Sequence, residues 1–197
     1  MIYKRYSVIF VFMRDPSIIQ KDFYRESGKW LSRFQIWKKC YSPNLHFVYL
    51  LRITQKYPKN TLSGKFWRVI LRHYQIKYGF QIYPETQIGA GLYLGHWGSV
   101  VINPKTKIGA NCNIAQGVTI AQANRGRNEG VPELGDEVWI GPNAVIVGNI
   151  KIGNNVLIAP NAYVNTNIPS NAVVMGNPAT FTLNENATSG YINHKIL

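Results

Sequence analysis

The sequence predicts a mainly β protein, in which a stacked parallel β-solenoid follows an N-terminal α-helical domain. An apolar residue returns every six positions between Gln81 and Gly176, and a fixed short period of this kind is typical of stacked coils. Before this stretch, apolar residues recur at the three- and four-residue spacing of helices. We therefore expect three parts: a helical domain at 1–80, a solenoid at 81–179 and a C-terminal tail at 180–197.

Four helices are expected in the N-terminal domain. Asp15 and Pro16 form a typical helix start, with Asp as the N-cap and Pro at the first helical position, and Gly28 ends this helix. Gly79 closes the fourth helix. Residues at helical spacing mark the other helices. The second helix contains Trp30, Leu31, Phe34 and Trp37, the third begins near Pro43 and contains Phe47, Val48 and Leu51, and the fourth contains Leu62, Phe66, Val69 and Ile70. We interpret the Trp and Phe residues as core and subunit interface, rather than as a ligand site.

The net charge of +13 belongs to residues 1–80, because the rest of the chain is neutral. Such a field is typical of proteins that contact an anionic membrane, an anionic polymer or nucleic acid, and it also occurs on helical surfaces without a partner. Nucleic acid is not expected, because no element that reads it is recognisable. The apolar run Val8–Met13 is too short to span a bilayer, and no small-residue cleavage site follows it.

The two cysteines, Cys40 and Cys112, fit neither a disulfide framework nor a metal site, which indicates a cytoplasmic protein. Cys112 occupies an inward position of the repeat and is interpreted as a small core residue. The main inward position recurs from Ile108 to Ile120 and resumes from Leu134 to Val164. Asn recurs three positions later, which suits corners because Asn tolerates the left-handed backbone.

The first break in the period lies between Leu94 and Ile102, where the step is eight residues instead of six. An insertion cannot lie in the wall of a solenoid, so the two extra residues must bulge outward. His96 is carried on this bulge, with glycines on both sides. We expect function at the breaks, because insertions between repeats tend to build the binding face.

The second break is longer, since fourteen residues separate Ile120 from Leu134. The intervening sequence is polar and Gly-rich, and it carries Arg125 and Arg127. This composition predicts a loop that leaves the coil.

These features resemble the hexapeptide-repeat acyltransferases. The stretch Gln81–Ala179 carries the resemblance, and Leu94-Gly95-His96 with the ending Met175-Gly176-Asn177-Pro178-Ala179 is most similar to the serine acetyltransferase branch. The resemblance implies a left-handed parallel β-helix (hexapeptide repeat), a homotrimer, and acetyl-CoA bound between neighbouring coils. No metal is expected, because carbonic-anhydrase chemistry on a similar coil needs three His ligands and the solenoid has one.

The chain departs from the serine acetyltransferase pattern at three places. Asp-Ile-His-Pro is here Gln81-Ile82-Tyr83-Pro84, Leu-Asp-His-Ala is Leu94-Gly95-His96-Trp97, and Arg-His-Pro is Gly130-Val131-Pro132. An amino-acid acceptor needs a carboxylate for its ammonium group and a cation for its own carboxylate, and Arg125 and Arg127 offer only the cation. We therefore expect a relative that O-acetylates a sugar hydroxyl in capsule, exopolysaccharide or lipopolysaccharide synthesis.

The resemblance assigns roles to individual residues. His96 is expected to be the general base that takes the proton of the acceptor hydroxyl. Gln81 or a backbone carbonyl is expected to orient its imidazole, and the alternative is an acid from a neighbouring chain. The oxyanion donor is expected to be the backbone N–H of Gln122. Acetyl-CoA is expected along one edge formed by Ala121, Gln122, Gly141 and Ala159.

Most of the remaining candidate site residues have more than one possible role. Trp139 either stacks on the cofactor or fills the trimer interface, and Arg125 and Arg127 meet CoA phosphates or an anionic acceptor, or are merely solvated. Trp97 either supports a sugar ring or packs beneath the helical domain, and Tyr83 is a second candidate contact of the acceptor.

Two other functions remain open at this stage. The first is serine O-acetyltransferase of cysteine biosynthesis, and the second is a non-catalytic solenoid scaffold or glycan-binding module. For residues 1–80, the hypothesis is peripheral contact with the anionic inner face of the membrane, where each basic residue near the surface contributes about 1 kcal/mol.

Overall fold

The computed structural model describes residues 17–196, in which four helices precede a parallel β-helix. The helices are α1 (Ile18–Ser27), α2 (Arg33–Lys39), α3 (Pro43–Gln55) and α4 (Leu62–Tyr78). Gly28 and Gly79 end α1 and α4 in the left-handed conformation, with φ of 64° and 74°. Glycine adopts this conformation without a steric penalty, which explains both predicted helix ends. None of the described helices is long and apolar enough to cross a membrane.

The N-cap of α1 is Ser17 and not the predicted Asp15. The Ser17 hydroxyl accepts a hydrogen bond from the backbone N–H of Gln20, and the Gln20 side chain accepts one from the backbone N–H of Ser17. This reciprocal capping box satisfies two N–H groups at the helix start. Asp15 and Pro16 lie outside the described residues.

The β-helix consists of short parallel strands that build three sheets. Sheet A contains β1 (Phe80–Gln81), β4 (Val100–Ile102), β7 (Thr119–Ala121), β10 (Val145–Val147) and β13 (Tyr163–Val164). Sheet B contains β2 (Gln87–Ile88), β5 (Lys107–Ile108), β8 (Glu133–Leu134) and β11 (Lys151–Ile152). Sheet C contains β3 (Tyr93–Leu94), β6 (Asn113–Ile114), β9 (Val138–Ile140), β12 (Val156–Ile158), β14 (Ala172–Gly176) and the antiparallel β15 (Ala179–Leu183).

The predicted fold class is confirmed as a left-handed parallel β-helix of about five turns. The inward residues of the repeat are buried and form one core with residues of α3 and α4. Cys112 is among them, as predicted, and burial raises the pKa of its thiol to about 12. Asn residues with positive φ occupy corners between sheets, at Asn111, Asn143, Asn155 and Asn161.

The helical domain is joined to the first coil by a buried ion pair. Arg52 Nε lies 2.8 Å from Asp22 Oδ2, and the Asp22 carboxylate also accepts hydrogen bonds from the backbone N–H groups of Gly91 and Leu92. Arg52 in turn donates to the carbonyl oxygens of Ile88 and Gly89. Because each charge is paired and hydrogen-bonded, removing either partner leaves a costly buried charge.

The three outer faces of the β-helix differ in chemistry. Sheet B presents a charged column, in which Lys107 Nζ lies 2.7 Å from Glu133 Oε1. Sheet C is covered by the C-terminal tail, whose Thr188 hydroxyl donates to Asn155 Oδ1 over 2.7 Å. Sheet A presents an uncharged column made of Gln81, Val101, Thr119, Val145 and Tyr163.

The Trp and Phe residues interpreted as core and subunit interface lie only in part in the core of this chain, and a subunit interface stays a prediction for the exposed ones. Trp30, Phe34, Trp37 and Phe66 are all exposed, by 49% to 70% of their surface, whereas Phe47 is fully buried. The helical spacing identified the helices, but it did not identify which apolar face of each helix meets the core.

Candidate functional site

His96 lies at the corner where the chain leaves sheet C for sheet A. The register pairs Leu94 with Ile114 on the next coil, so the residues two positions later, His96 and Gln116, occupy equivalent corner positions. Coils of a β-helix are separated by about 4.8 Å, the usual distance between neighbouring strands. The two side chains are therefore close neighbours along the stack.

The two extra residues of the first break are accommodated immediately after this corner. Gly98 and Ser99 both have positive φ, at 105° and 50°. The carbonyl oxygen of Gly98 accepts a hydrogen bond of 3.3 Å from the N–H of Gly117 on the next coil. The insertion thus bulges outward, as predicted, and leaves the side chains of His96 and Trp97 exposed.

A cleft of about 230 Å³ opens beside His96. Its walls come from consecutive coils of sheet C and the corner that follows them, and they consist of Tyr93, Gly95, His96, Asn113, Ile114, Ala115, Gln116, Trp139 and Pro142. Within residues 17–196, no group hydrogen-bonds the His96 imidazole. Both ring nitrogens therefore remain available to a ligand in the cleft.

Gln116, one of the residues that line this cleft, has an unsatisfied side-chain acceptor. Its Oε1 atom is buried and has no hydrogen-bond partner among the described residues. Leaving a buried polar atom unpaired costs about 1–3 kcal/mol, so such an atom on a residue that lines a cleft marks that residue as a candidate ligand contact. Gln116 was not identified from the sequence. It follows the inward Ile114 by two residues, just as His96 follows the inward Leu94 by two residues on the preceding coil.

Asn113 is held in the cleft wall from two directions. Arg25 Nη2 of α1 donates to Asn113 Oδ1, and Asn113 Nδ2 donates to the carbonyl oxygen of Tyr191 over 3.0 Å. Beside it, Tyr93 is half-buried; burial raises the pKa of its phenol, Glu26 adds to the increase, and Arg25 opposes it. The Tyr93 hydroxyl therefore stays protonated and can donate a hydrogen bond.

Trp139 points outward from sheet C, as predicted, and its contact with the cofactor or with a trimer interface stays a prediction. Its ring packs edge-to-face on Tyr191 of the C-terminal tail, with centroids 4.8 Å apart. The tail thus forms part of the surroundings of the cleft. Trp97 is 61% exposed, which rules out the alternative that it packs beneath the helical domain.

Gln81 and Tyr83 lie outside the walls of the His96 cleft. Gln81 is on β1, where it pairs with Val101, and its Nε2 atom donates to the Tyr83 hydroxyl over 3.4 Å. Tyr83 instead lines a separate groove between α4 and the first coils. A role for Gln81 in orienting His96 stays a prediction.

The second break forms a short antiparallel loop that leaves the coil at the end of β7, on the opposite side of sheet A from His96. Ala123 and Gly130 exchange two backbone hydrogen bonds of 2.9 and 3.0 Å, and Asn128 anchors the loop to the Asn165 carbonyl oxygen. Arg125 and Arg127 are exposed at its tip.

The four residues predicted to form one cofactor edge are divided between two corners. Gly141 and Ala159 follow β9 and β12 of sheet C, at the same corner as His96, whereas Ala121 and Gln122 end or follow β7 of sheet A. The prediction that these four residues form a single cofactor-binding edge is therefore wrong within one chain, because sheet A lies between the two pairs. Among the described residues, no three His, Cys, Asp or Glu side chains are grouped so as to hold a metal ion.

Known proteins share both the coils and the overall architecture of this chain. Residues 132–166 match the family model described as bacterial transferase hexapeptide (six repeats). The serine acetyltransferase of Staphylococcus xylosus is 40% identical over 100 residues, which are 51% of this chain and 46% of the relative. The chain thus spans about half the length of the curated relatives it matches.

Solved structures extend the similarity into the helical domain. The serine acetyltransferase of Neisseria gonorrhoeae in complex with serine superimposes with a TM-score of 0.66 at 28% identity, over 84% of this chain and 67% of that one. A serine acetyltransferase in complex with CoA has the same fold at 24% identity, with a TM-score of 0.66 over 84% and 68% of the two chains.

These relatives confirm the resemblance to the serine acetyltransferase branch and overturn the expectation of a sugar acceptor. These relatives, by sequence and by structure, are serine acetyltransferases and not sugar O-acetyltransferases. The expectation failed because it treated the missing carboxylates as excluding an amino acid. Neutral oxygens such as Gln116 Oε1 can also accept hydrogen bonds from an ammonium group, and this residue was not considered.

Proposed function

We propose that the protein is an acetyl-CoA-dependent serine O-acetyltransferase in which His96 is the general base. The observation that carries the proposal is the unpaired imidazole of His96 in a cleft, on coils that are similar to those of serine acetyltransferases. His96 takes the hydroxyl proton of serine, and the hydroxyl oxygen attacks the thioester carbonyl of acetyl-CoA. The thiol of CoA then leaves with a proton, and O-acetylserine is formed.

The dimensions and polarity of the cleft fit a small polar acceptor. Its volume of about 230 Å³ is below the range of about 300–1,000 Å³ that is typical of sites for drug-sized ligands. We assign Gln116 Oε1 as an acceptor for the serine ammonium group and the Tyr93 hydroxyl as a donor to its carboxylate. Because both contacts are neutral, they bind serine more weakly than charged partners would, and the KM for serine should be high.

A complete site requires more than one copy of the chain. The proposed oxyanion donor, the backbone N–H of Gln122, follows β7, whereas His96 precedes β4, so the width of sheet A separates them. Three extended residues span about 10 Å, too far for both groups to contact one acetyl group. A homotrimer packed through the uncharged column of sheet A would place Gln122 of one copy near His96 of another. Arg125 and Arg127 would then be available to the CoA phosphates.

The orientation of His96 is expected to limit the rate. Gln81 stands in the position where serine acetyltransferases have Asp, and within one chain it hydrogen-bonds Tyr83 and not His96. If Gln81 orients the imidazole of a neighbouring copy, its amide stabilises an imidazolium less than a carboxylate would. Replacing Gln81 by Asp should therefore raise kcat about tenfold, and Gln81→Glu provides the control for charge at a longer reach. Equal rates for Gln81→Asp and the parent protein would show that another group orients the imidazole.

The deciding experiment measures release of the CoA thiol from acetyl-CoA with L-serine, and with L-alanine as the acceptor that lacks a hydroxyl. The expected result is serine-dependent release and a product with the mass of O-acetylserine. Binding of acetyl-CoA without turnover of serine would refute the proposal that serine is the acceptor and support the proposal that acetyl-CoA is the donor. Absence of both binding and turnover would favour the non-catalytic scaffold.

A further inference from the structure

Residues 29–41, which connect α1 to α3 and include α2, form a segment with an unusual surface. This aromatic–basic segment contains four aromatic and four basic residues and has no acidic residue. They are Trp30, Phe34, Trp37 and Tyr41, interleaved with Lys29, Arg33, Lys38 and Lys39. The proposal drawn from it does not depend on the acetyl acceptor.

The segment already buries one apolar side in the protein. Leu31 and Ile36 pack in a small core with Ile19, Phe23 and Leu45. A helix that is apolar on both its inner and outer sides is normally buried on both. The outer side of α2 has no such cover within residues 17–196, because Phe34 is 62% exposed and Trp37 is 70% exposed.

The charge of this surface favours an anionic partner over a second copy of the chain. The acidic residues described in the helical domain are Asp22, which is buried against Arg52, and Glu26. Two copies joined through the aromatic–basic segment would bring two cationic faces together without compensating carboxylates. Like charges that face each other across an interface disfavour association.

The arrangement of the rings favours a bilayer over single-stranded nucleic acid. Binding to single strands uses free ring faces on which bases stack. Here Phe34 and Trp37 stack on each other with centroids 6.1 Å apart, and Lys38 Nζ lies 4.6 Å from the Phe34 centroid. Trp30 stacks on Tyr24 at 4.4 Å. With one face of each ring engaged in this way, the rings together form a compact and exposed apolar surface.

We propose that the aromatic–basic segment binds the surface of an anionic lipid bilayer. Aromatic side chains favour the headgroup region, where an apolar ring and a polar edge are both accommodated, and Lys and Arg contact the lipid phosphates. The segment lies on the membrane surface and does not enter the hydrocarbon core as a span. The predicted peripheral contact of residues 1–80 is thereby narrowed to thirteen positions centred on α2.

The test is co-sedimentation of the full chain with vesicles of phosphatidylcholine, with and without phosphatidylglycerol, at low and high salt. Binding should require phosphatidylglycerol and weaken as salt is raised. The double variant Arg33→Gln/Lys38→Gln should bind about 25-fold more weakly, since each basic residue contributes about fivefold. Phe34→Ala/Trp37→Ala should lose about tenfold or more through the lost apolar contact.

Matched controls come from the β-helix. Lys105→Gln removes an exposed positive charge, and Phe181→Ala removes a partly exposed aromatic ring, and both should bind like the parent protein. Unchanged thermal unfolding of every variant confirms that the fold is kept. Activity in solution without vesicles should be the same for all of them, which separates this proposal from the proposed function.

Four results would overturn the proposal. The first is equal binding to neutral and anionic vesicles, and the second is unchanged vesicle binding by both double variants. The third is a lower molecular mass of Phe34→Ala/Trp37→Ala in sedimentation without lipid, which would assign the surface to a second copy. A short single-stranded RNA that displaces the protein from vesicles and binds it more tightly would likewise assign the surface to nucleic acid.

Discussion

The two insertions of the β-helix differ in how their backbone N–H and C=O groups are hydrogen-bonded, and this difference explains why their exposed surfaces differ. The longer insertion closes on itself through the paired backbone groups of Ala123 and Gly130, and its tip is solvated. The insertion at His96 adds only two residues, too few for such a closure. It relies on Gly117 of the next coil and on two left-handed residues. A short insertion is therefore fixed against the neighbouring coil, which positions its side chain, whereas a long one builds a separate surface.

The largest effect should follow from removing the side chain that the short insertion positions. His96→Ala is expected to lower kcat for serine about 10²–10⁴-fold, the usual contribution of a positioned general base. His73→Ala, which removes an exposed histidine of α4, should leave kcat unchanged. A decrease of less than about fivefold for His96→Ala would mean that the short insertion does not carry the base.

The next largest effect should come from the coil that supports the short insertion. Gln116→Ala removes the buried Oε1 acceptor, and hydrogen bonds to charged groups contribute about 1.5–3 kcal/mol, so the KM for serine should rise about 10–100-fold. The change in kcat should be small. Gln87→Ala on sheet B is the matched control. If Gln116→Ala lowers kcat and leaves KM unchanged, the amide acts on the base instead of the acceptor.

Substitutions in the long insertion should have a smaller effect, and this effect should concern the KM for acetyl-CoA. Arg125→Gln/Arg127→Gln should raise the KM for acetyl-CoA severalfold and leave the KM for serine unchanged, because exposed ion pairs contribute about 0.2–1 kcal/mol each. The effect should diminish as salt is raised. A change in the serine KM alone would place the long loop at the acceptor and not at CoA.

The smallest effect tests the strain in the short insertion. Ser99 adopts φ of 50°, a conformation that glycine reaches without penalty. Ser99→Gly should therefore raise the free energy of unfolding by about 0.5 kcal/mol, the gain being limited by the greater freedom of glycine in the unfolded chain. Thermal unfolding measures it. Ser99→Ala, which keeps the strain, should show no gain, and stabilisation by that variant would contradict the explanation.

The His96 site could be predicted in part from the sequence. The eight-residue step between Leu94 and Ile102 located the bulge, because a solenoid wall has no room for extra residues. Gln116 was overlooked because an amide at a corner looks like any solvated polar residue. Its significance depends on the burial of Oε1 and on its place one coil from His96. The expectation of a sugar acceptor, which the relatives contradict, rested on the missing carboxylates alone and did not consider a neutral amide such as Gln116.

The sequence by itself determined the β-helix, the burial of its inward residues and the position of both insertions. It could do so because each coil repeats the same local interactions, and the period alone specifies which residues face inward. Only the tertiary structure decided which corner each predicted site residue occupies, how the tail covers sheet C, and that the aromatic residues of α2 point outward. These outcomes depend on contacts between distant segments, such as Trp139 with Tyr191, and no local spacing encodes them.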